Sequence, residues 1–272
     1  MEDIKDIGEL KGKILVFGGV YSNLQALNEL KKIAYRENIE PSNIICTGDI
    51  VGYCAQPDEC LRNIKDWSVH SILGNVEENI RNGDEDCGCN FDEGTRCDMF
   101  SRQWYPFAYN AISQEMKDWL GEIPQHLRFV YAGKKALVIH GGLKDISQFI
   151  FHSTDWKIKK DIIDEAGVDL IIGGHSGLPF SCSENGRYWL NAGVIGMPAN
   201  DGTPRVWYMI LNDENEFTFR HHSFEYPHQE TARLMREQKL PASYAETLSS
   251  GIWDNCEILP DEETNKQGIP IN

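Results

Sequence analysis

No stretch of the 272-residue chain approaches 18 consecutive apolar residues, so a transmembrane helix of ordinary length is excluded. Positive charge is scarce: 26 Lys plus Arg stand against 42 Asp plus Glu, a net charge of −16. Such a surface repels phosphate backbones and anionic headgroups, so neither a nucleic acid polymer nor a membrane is expected as a partner. An anionic substrate would need a metal or a local cluster of donors. The opening Met1-Glu2-Asp3-Ile4-Lys5-Asp6 lacks the apolar core of a signal peptide, and the reading expects a soluble, cytoplasmic protein. Internal repeats and low-complexity tracts are also missing. Eight cysteines (Cys46, Cys54, Cys60, Cys87, Cys89, Cys97, Cys182, Cys256) are expected mainly as reduced thiols, open to metal or redox use but not to a disulfide framework.

What is present follows an α/β pattern. Lys13 to Phe17 reads as a buried strand ended by Gly18-Gly19, and Leu24, Leu27, Leu30 and Ile33 then recur at helical spacing behind an N-cap at Ser22 or Asn23. That turn either cradles an anion at the helix start or is a plain crossover. Asn43 to Cys46 and Val69 to Leu73 repeat the unit, with a helix starting at Pro57 between them, which predicts a parallel sheet. Residues 80–98 are acidic, glycine-rich and hold three cysteines, and read as an inserted loop. Helical segments follow over about 99–121, then a hairpin at 127–131 and 135–139, a helix at 155–166 and a strand at 169–172. Four shorter segments near 180–182, 188–191, 205–211 and 217–221 alternate better and suggest antiparallel strands of a second sheet. One domain is expected over 1–240, with a helix to about 238 and a tail at 241–272 that carries an isolated Trp253.

Asp49, Asn75, His140 and His175 each follow a glycine or end an apolar strand, the place where open α/β sheets bind ligands. Singly, each has an ordinary structural explanation, such as a helix cap for Asp49. Together they form a metal-ligand set, and two imidazoles, a carboxylate and an amide oxygen suit Mn, Fe or Zn better than Ca or Mg.

The order Gly48-Asp49, Gly74-Asn75, His140, Gly174-His175 resembles the calcineurin-like metallophosphoesterases, most closely their small bacterial and archaeal phosphodiesterase branch. The segments Thr47-Gly48-Asp49-Ile50-Val51-Gly52-Tyr53 and Asn191-Ala192-Gly193 share in it, and it runs from about residue 13 to about 211. It implies a four-layer α/β/β/α sandwich of two mixed sheets flanked by helices, two metal ions at the strand ends, and in-line hydrolysis of a phosphoester. The departures fall on one side. Where the family has Asp-x-His after the first strand this chain has Gly19 and Tyr21, and Gly177 replaces the second His of the family's Gly-His-x-His. Those are the private ligands of one metal. The other metal's set matches Asp49, Asn75, His140 and His175, so a mononuclear divalent site is expected, with a second metal doubtful.

Val76 stands where the family's general-acid His usually lies, which leaves Tyr21, Glu77, Glu78 and His152 as replacements; Glu77 and Glu78 read equally well as a helix start. The reading therefore expects a phosphodiester- or nucleotide-hydrolysing enzyme, with a non-catalytic or regulatory phospholigand binder, or a metalloenzyme of other chemistry, as the alternatives. Asp49 and His140 are the expected catalytic ligands, and Asn23, Tyr53 and Arg205 are candidate contacts to a small phosphorylated substrate. Cys87, Cys89 and Cys97 are either structural thiols, a zinc site or a redox group.

Overall fold

Every residue of Ile14–Phe17 is buried, because this strand is covered on both faces. Ile14 and Val16 point into the space between two sheets, while Leu15 and Phe17 point to the helices on the other side, as the two-residue period of a strand requires. The computed structural model describes residues 3–89 and 91–271, so Met1, Glu2, Asn90 of the 80–98 loop and Asn272 lie outside it.

The strands are β1 (Ile4–Leu10), β2 (Ile14–Phe17), β3 (Ile44–Cys46), β4 (His70–Ser71), β5 (His126–Tyr131), β6 (Lys134–Val138), β7 (Leu170–Gly173), β8 (Pro179–Glu184), β9 (Arg187–Ala192), β10 (Val206–Asn212) and β11 (Thr218–Phe224). The helices are α1 (Leu24–Arg36), α2 (Pro57–Trp67), α3 (Asn75–Asn82), α4 (Arg96–Ala111), α5 (Gln114–Leu120), α6 (Trp156–Ala166), α7 (His228–Glu237), α8 (Ala242–Ser250) and α9 (Asp261–Thr264). One sheet has the order β11-β10-β2-β3-β4 and the other β1-β5-β6-β7-β9-β8; both mix parallel and antiparallel pairs. A core cluster fills the space between the sheets, a larger one lies under α1, α2 and α4, and a third joins β7 and β9 to α6. This is the α/β/β/α sandwich the resemblance implies. No helix among the described residues is long and apolar enough to cross a membrane.

One expectation is corrected and one strand is added. The four late strands do not make a sheet of their own: β8 and β9 extend the sheet of β7, with β9 parallel to it, whereas β10 and β11 extend the sheet of β2. Alternation along a strand reports its exposed face, not its partner, so the sequence held no sign of that division. The charged lead at residues 4–10 is a strand, β1, lying parallel to β5 at a sheet edge, where polar side chains are tolerated. Residues 241–271 carry α8 and α9, and α8 packs on α7.

Candidate metal centre

The strand tips that carry the four candidate ligands converge from both sheets. Asp49 follows β3 and Asn75 opens α3 just past β4, while His140 and His175 follow β6 and β7. Asp49 and His175 sit in the left-handed region, at φ of 55° and 57°. Non-glycine residues persist there only where their surroundings fix them, a pattern concentrated at functional sites.

Glu77 does the fixing for Asp49. One of its oxygens accepts hydrogen bonds from the backbone N–H of Asp49 at 2.8 Å and of Gly74 at 2.9 Å, and the other accepts from Val51 N–H at 2.8 Å. The carboxylate is fully buried. Burial, with the nearby Asp49 charge, lifts its pKa to about 7 against the opposing pull of those N–H donors. Glu77 therefore clamps a ligand-bearing turn and does not face a substrate, which corrects its assignment as a catalytic acid. Gly74 is required by space: a Cβ there would lie 2.1 Å from Asp49 Oδ1 and 2.4 Å from Asp49 N.

His140 lies 2.7 Å from the Thr47 carbonyl through Nδ1. A carbonyl can only accept, so Nδ1 carries the proton. In the neutral ring Nε2 then presents a lone pair, and it faces Asn75 Oδ1 at 3.1 Å, His175 Nδ1 at 3.2 Å and Asp49 Oδ2 at 3.3 Å. The Asn75 amide is oriented from behind, since its nitrogen donates to Cys87 O at 2.8 Å and to Cys89 Sγ at 3.3 Å and leaves its oxygen forward. Among the described residues, Asp49, His140 and His175 form the one group of His, Cys, Asp or Glu close enough to share an ion, with ligand atoms within 4.8 Å of one another. Asp49 Oδ1 and His175 Nε2 are buried with no hydrogen-bond partner. Burial works to lower the His140 pKa, but the Asp49 carboxylate and the Thr47 carbonyl hold it above its usual value. His175 is pushed down to about 3, first by burial and then by His140. Acceptors crowded around one point, with a backbone carbonyl behind one imidazole, are the arrangement of a cation site and its outer support. The donor set fits a divalent metal.

Gly19, where the family resemblance expected a further ligand, is closely packed. At Gly19, φ is 48°, and a Cβ would lie 2.3 Å from Val194 Cγ1 and 2.8 Å from Tyr21 Cζ. The Tyr21 ring packs edge-on against Tyr53, with centroids 4.6 Å apart, so side chains occupy what the sequence suggested was a vacated half. Burial above all, then Tyr53 and Asp49, keeps the Tyr21 phenol protonated by raising its pKa well beyond the usual value.

A sequence model of the calcineurin-like phosphoesterase superfamily domain matches residues 13–216. The chain belongs to that superfamily. It is 28% identical, over 89% of its length and 99% of the relative's, to an uncharacterized protein of Methanocaldococcus jannaschii. The fold is similar to a crystal structure of a metallophosphoesterase from Sphaerobacter thermophilus, with a TM-score of 0.70 and 23% identity over 89% of this chain and 100% of that one. It is also similar to that of a hypothetical protein from Pyrococcus horikoshii, with a TM-score of 0.75 and 17% identity over 89% and 99%. Divalent-metal use goes with the superfamily, in keeping with the donor set described above.

Other candidates of the sequence reading lie away from the centre. Asn23 caps α1: its oxygen accepts from Ala26 N and Thr231 Oγ1, and its nitrogen donates to Gly196 O and Tyr226 OH. With oxygen and nitrogen both engaged it has no role at a substrate. Asn23→Ala should accordingly lower stability by roughly 2 kcal/mol, by loss of the cap and of its buried partners, and leave KM unchanged; chemical denaturation and steady-state kinetics check both halves. Arg205 is likewise corrected: its guanidinium binds Asp201, Thr203 and the Ile271 carbonyl, holding the C-terminal segment in place. His152 is half-exposed in a separate groove, and Glu78 accepts from Gln125. Tyr53 does line the chamber above the ligands.

That chamber has a roof the sequence did not announce. The 80–98 stretch, read as a loop, is helical at both ends; Cys89 and Phe91 between α3 and α4 line the site, and the start of α4 is tied to the residues after α8: Arg96 makes a bidentate pair with Asp254 at 2.5 and 2.7 Å, and the Arg96 and Cys97 N–H groups both donate to Glu257. Cys87 and Cys89 are paired as a disulfide, Cys97 instead meets Asn255, and the other six cysteines are free, so the three loop cysteines do not assemble as a zinc site. Trp253 and Tyr244 of the C-terminal segment and Phe149, whose ring centroid lies 4.2 Å from that of His175 at a tilt of 33°, complete the walls. The isolated Trp253 was the one sequence sign of this contribution.

Proposed function

We propose that the protein hydrolyses phosphodiesters or nucleotides at a single divalent metal, Mn, Fe or Zn, held by Asp49, Asn75, His140 and His175. The observation that carries this reading is the convergence of Asn75 Oδ1, His175 Nδ1 and Asp49 Oδ2 on His140 Nε2, at 3.1, 3.2 and 3.3 Å. A divalent ion supplies Lewis-acid polarisation of a phosphoryl oxygen at such a site.

The chain's own groups do the rest. Asp49 is an acceptor on a turn that Glu77 immobilises, and its Oδ1 is free to orient an attacking water and draw its proton. His140 is held in one tautomer by Thr47 and cannot rotate out of the site. The protonated Tyr21 hydroxyl lies in the chamber wall and offers a hydrogen bond to the departing oxygen. Packing of Tyr21 and Val194 over Gly19 supports one ion in place of two. A small substrate and a cytoplasmic setting accord with the enclosed chamber and the six free cysteines.

Elemental analysis after loading with Mn, Fe or Zn and removal of excess is expected to give about one ion per chain, with turnover of bis-p-nitrophenyl phosphate. Asp49→Asn should weaken metal binding by at least about 100-fold, no less than loss of an outer-shell partner. About two ions per chain would overturn the mononuclear reading, and metal binding with no phosphoesterase turnover would favour the non-catalytic or altered-chemistry descendant.

A further inference from the structure

The walls of the chamber are rich in aromatic side chains. Tyr53 stands edge-on to Tyr21, Trp104 and Tyr244 with centroids 4.6, 5.1 and 4.8 Å apart, so an unbroken aromatic face runs from the ligands to the C-terminal segment. Phe91 and Trp253 add to it from the loop and the tail. They line a cavity of about 90 Å³ that opens to solvent. Among the described residues the lining includes no Lys or Arg; its acids are Asp49 and Asp254, and the Arg96 guanidinium at the rim is already committed to Asp254.

We propose that the chamber selects monoanionic phosphodiesters carrying an aromatic or apolar alcohol group and discriminates against phosphomonoesters. This rests on the phosphoesterase reading above. The argument is one of charge and surface. A divalent ion beside the Asp49 carboxylate, with the buried Glu77 behind it, leaves at most one positive charge, so a monoanionic diester leaves little or no excess charge. A dianionic monoester leaves one negative charge in an apolar enclosure with no cationic side chain to meet it, and an unpaired charge away from water is costly. The aromatic face in turn gives an aryl or base-like group a surface to stack on, and gives a monoester's second negative charge no cation to meet. Trp253, set by its indole N–H on the Pro198 carbonyl at 2.8 Å and lying beside Gly177, is the specificity-determining residue of this wall.

Calorimetry on the Mn-loaded full chain at about pH 8, where phenyl phosphate is dianionic, tests this with three probes: diphenyl phosphate, dimethyl phosphate and phenyl phosphate. Diphenyl phosphate is expected to bind at least about tenfold more tightly than either of the others. Trp253→Ala should remove most of its advantage over dimethyl phosphate, and Trp253→Phe, which keeps a ring, should restore it. Phenyl phosphate binding as tightly as diphenyl phosphate, no advantage of diphenyl over dimethyl phosphate, or no binding of any probe overturns the proposal. Turnover of bis-p-nitrophenyl phosphate is followed alongside: its absence with the binding preference intact overturns the hydrolase reading alone.

Discussion

Glu77→Ala is expected to destabilise the protein by roughly 3–6 kcal/mol, because three buried N–H groups lose their acceptor at once and each stranded donor costs about 1–3 kcal/mol, less what is regained by no longer burying a carboxylate. The donors belong to Asp49, Val51 and Gly74, so the loss falls on the turn that presents the metal-facing carboxylate. Glu77→Gln keeps one oxygen acceptor but turns an NH2 toward a donor, and should lose roughly half as much. Urea melts of the two variants beside the parent give the ordering directly. A general acid would behave otherwise: both variants would retain full stability and lose only kcat, and that outcome would refute the clamp.

Gly74→Ala carries the second large effect, from a single methyl group. The added Cβ would need the space of Asp49 Oδ1 and Asp49 N, at 2.1 and 2.4 Å, both far inside contact distance. Neither is the tip of a flexible chain, because Glu77 pins the Asp49 backbone. The carboxylate is driven off the point where His140, His175 and Asn75 converge. Metal affinity should fall at least about 100-fold, the upper end of what loss of support around a ligand produces. Stability should fall by only about 1–3 kcal/mol, as for an overpacked core. Circular dichroism of the folded variant, with its metal content after dialysis, separates these effects; a variant that retains stoichiometric metal would show that the turn adapts and Gly74 is not required.

The candidate ligands were legible because strand ends advertise them. An apolar run that stops at a glycine and a polar residue is a local pattern, and Asp49, Asn75, His140 and His175 all fall on it. β2, β3 and α1 were legible for the same reason: burial on two faces, or on one stripe, writes its period into a short window. What stayed hidden was relational. Glu77 reads as an acid at a helix start, and only the fold shows three N–H groups from two turns pointing at it. Asn23 was expected both as a cap and as a substrate contact, and a partner 208 residues away, Thr231, completes the capping arrangement. Trp104 of α4 is core on one side while lining the chamber on the other, a double role that helical spacing does not reveal. The sequence set Gly19 and Tyr21 apart from the family pattern, but did not show that Tyr21 and Val194 pack over Gly19.

The bidentate tie between Arg96 and Asp254 joins an insertion to a segment beyond residue 216, where the superfamily match ends. Floor and ceiling of the chamber are thus drawn from different stretches of chain: the floor from strand tips whose geometry tolerates almost no change, the ceiling from two connecting segments that hold no ligand. Such a division lets ligand preference drift by rewriting the ceiling while the chemistry beneath stays constant. A lineage could retune what it accepts through loop and tail alone.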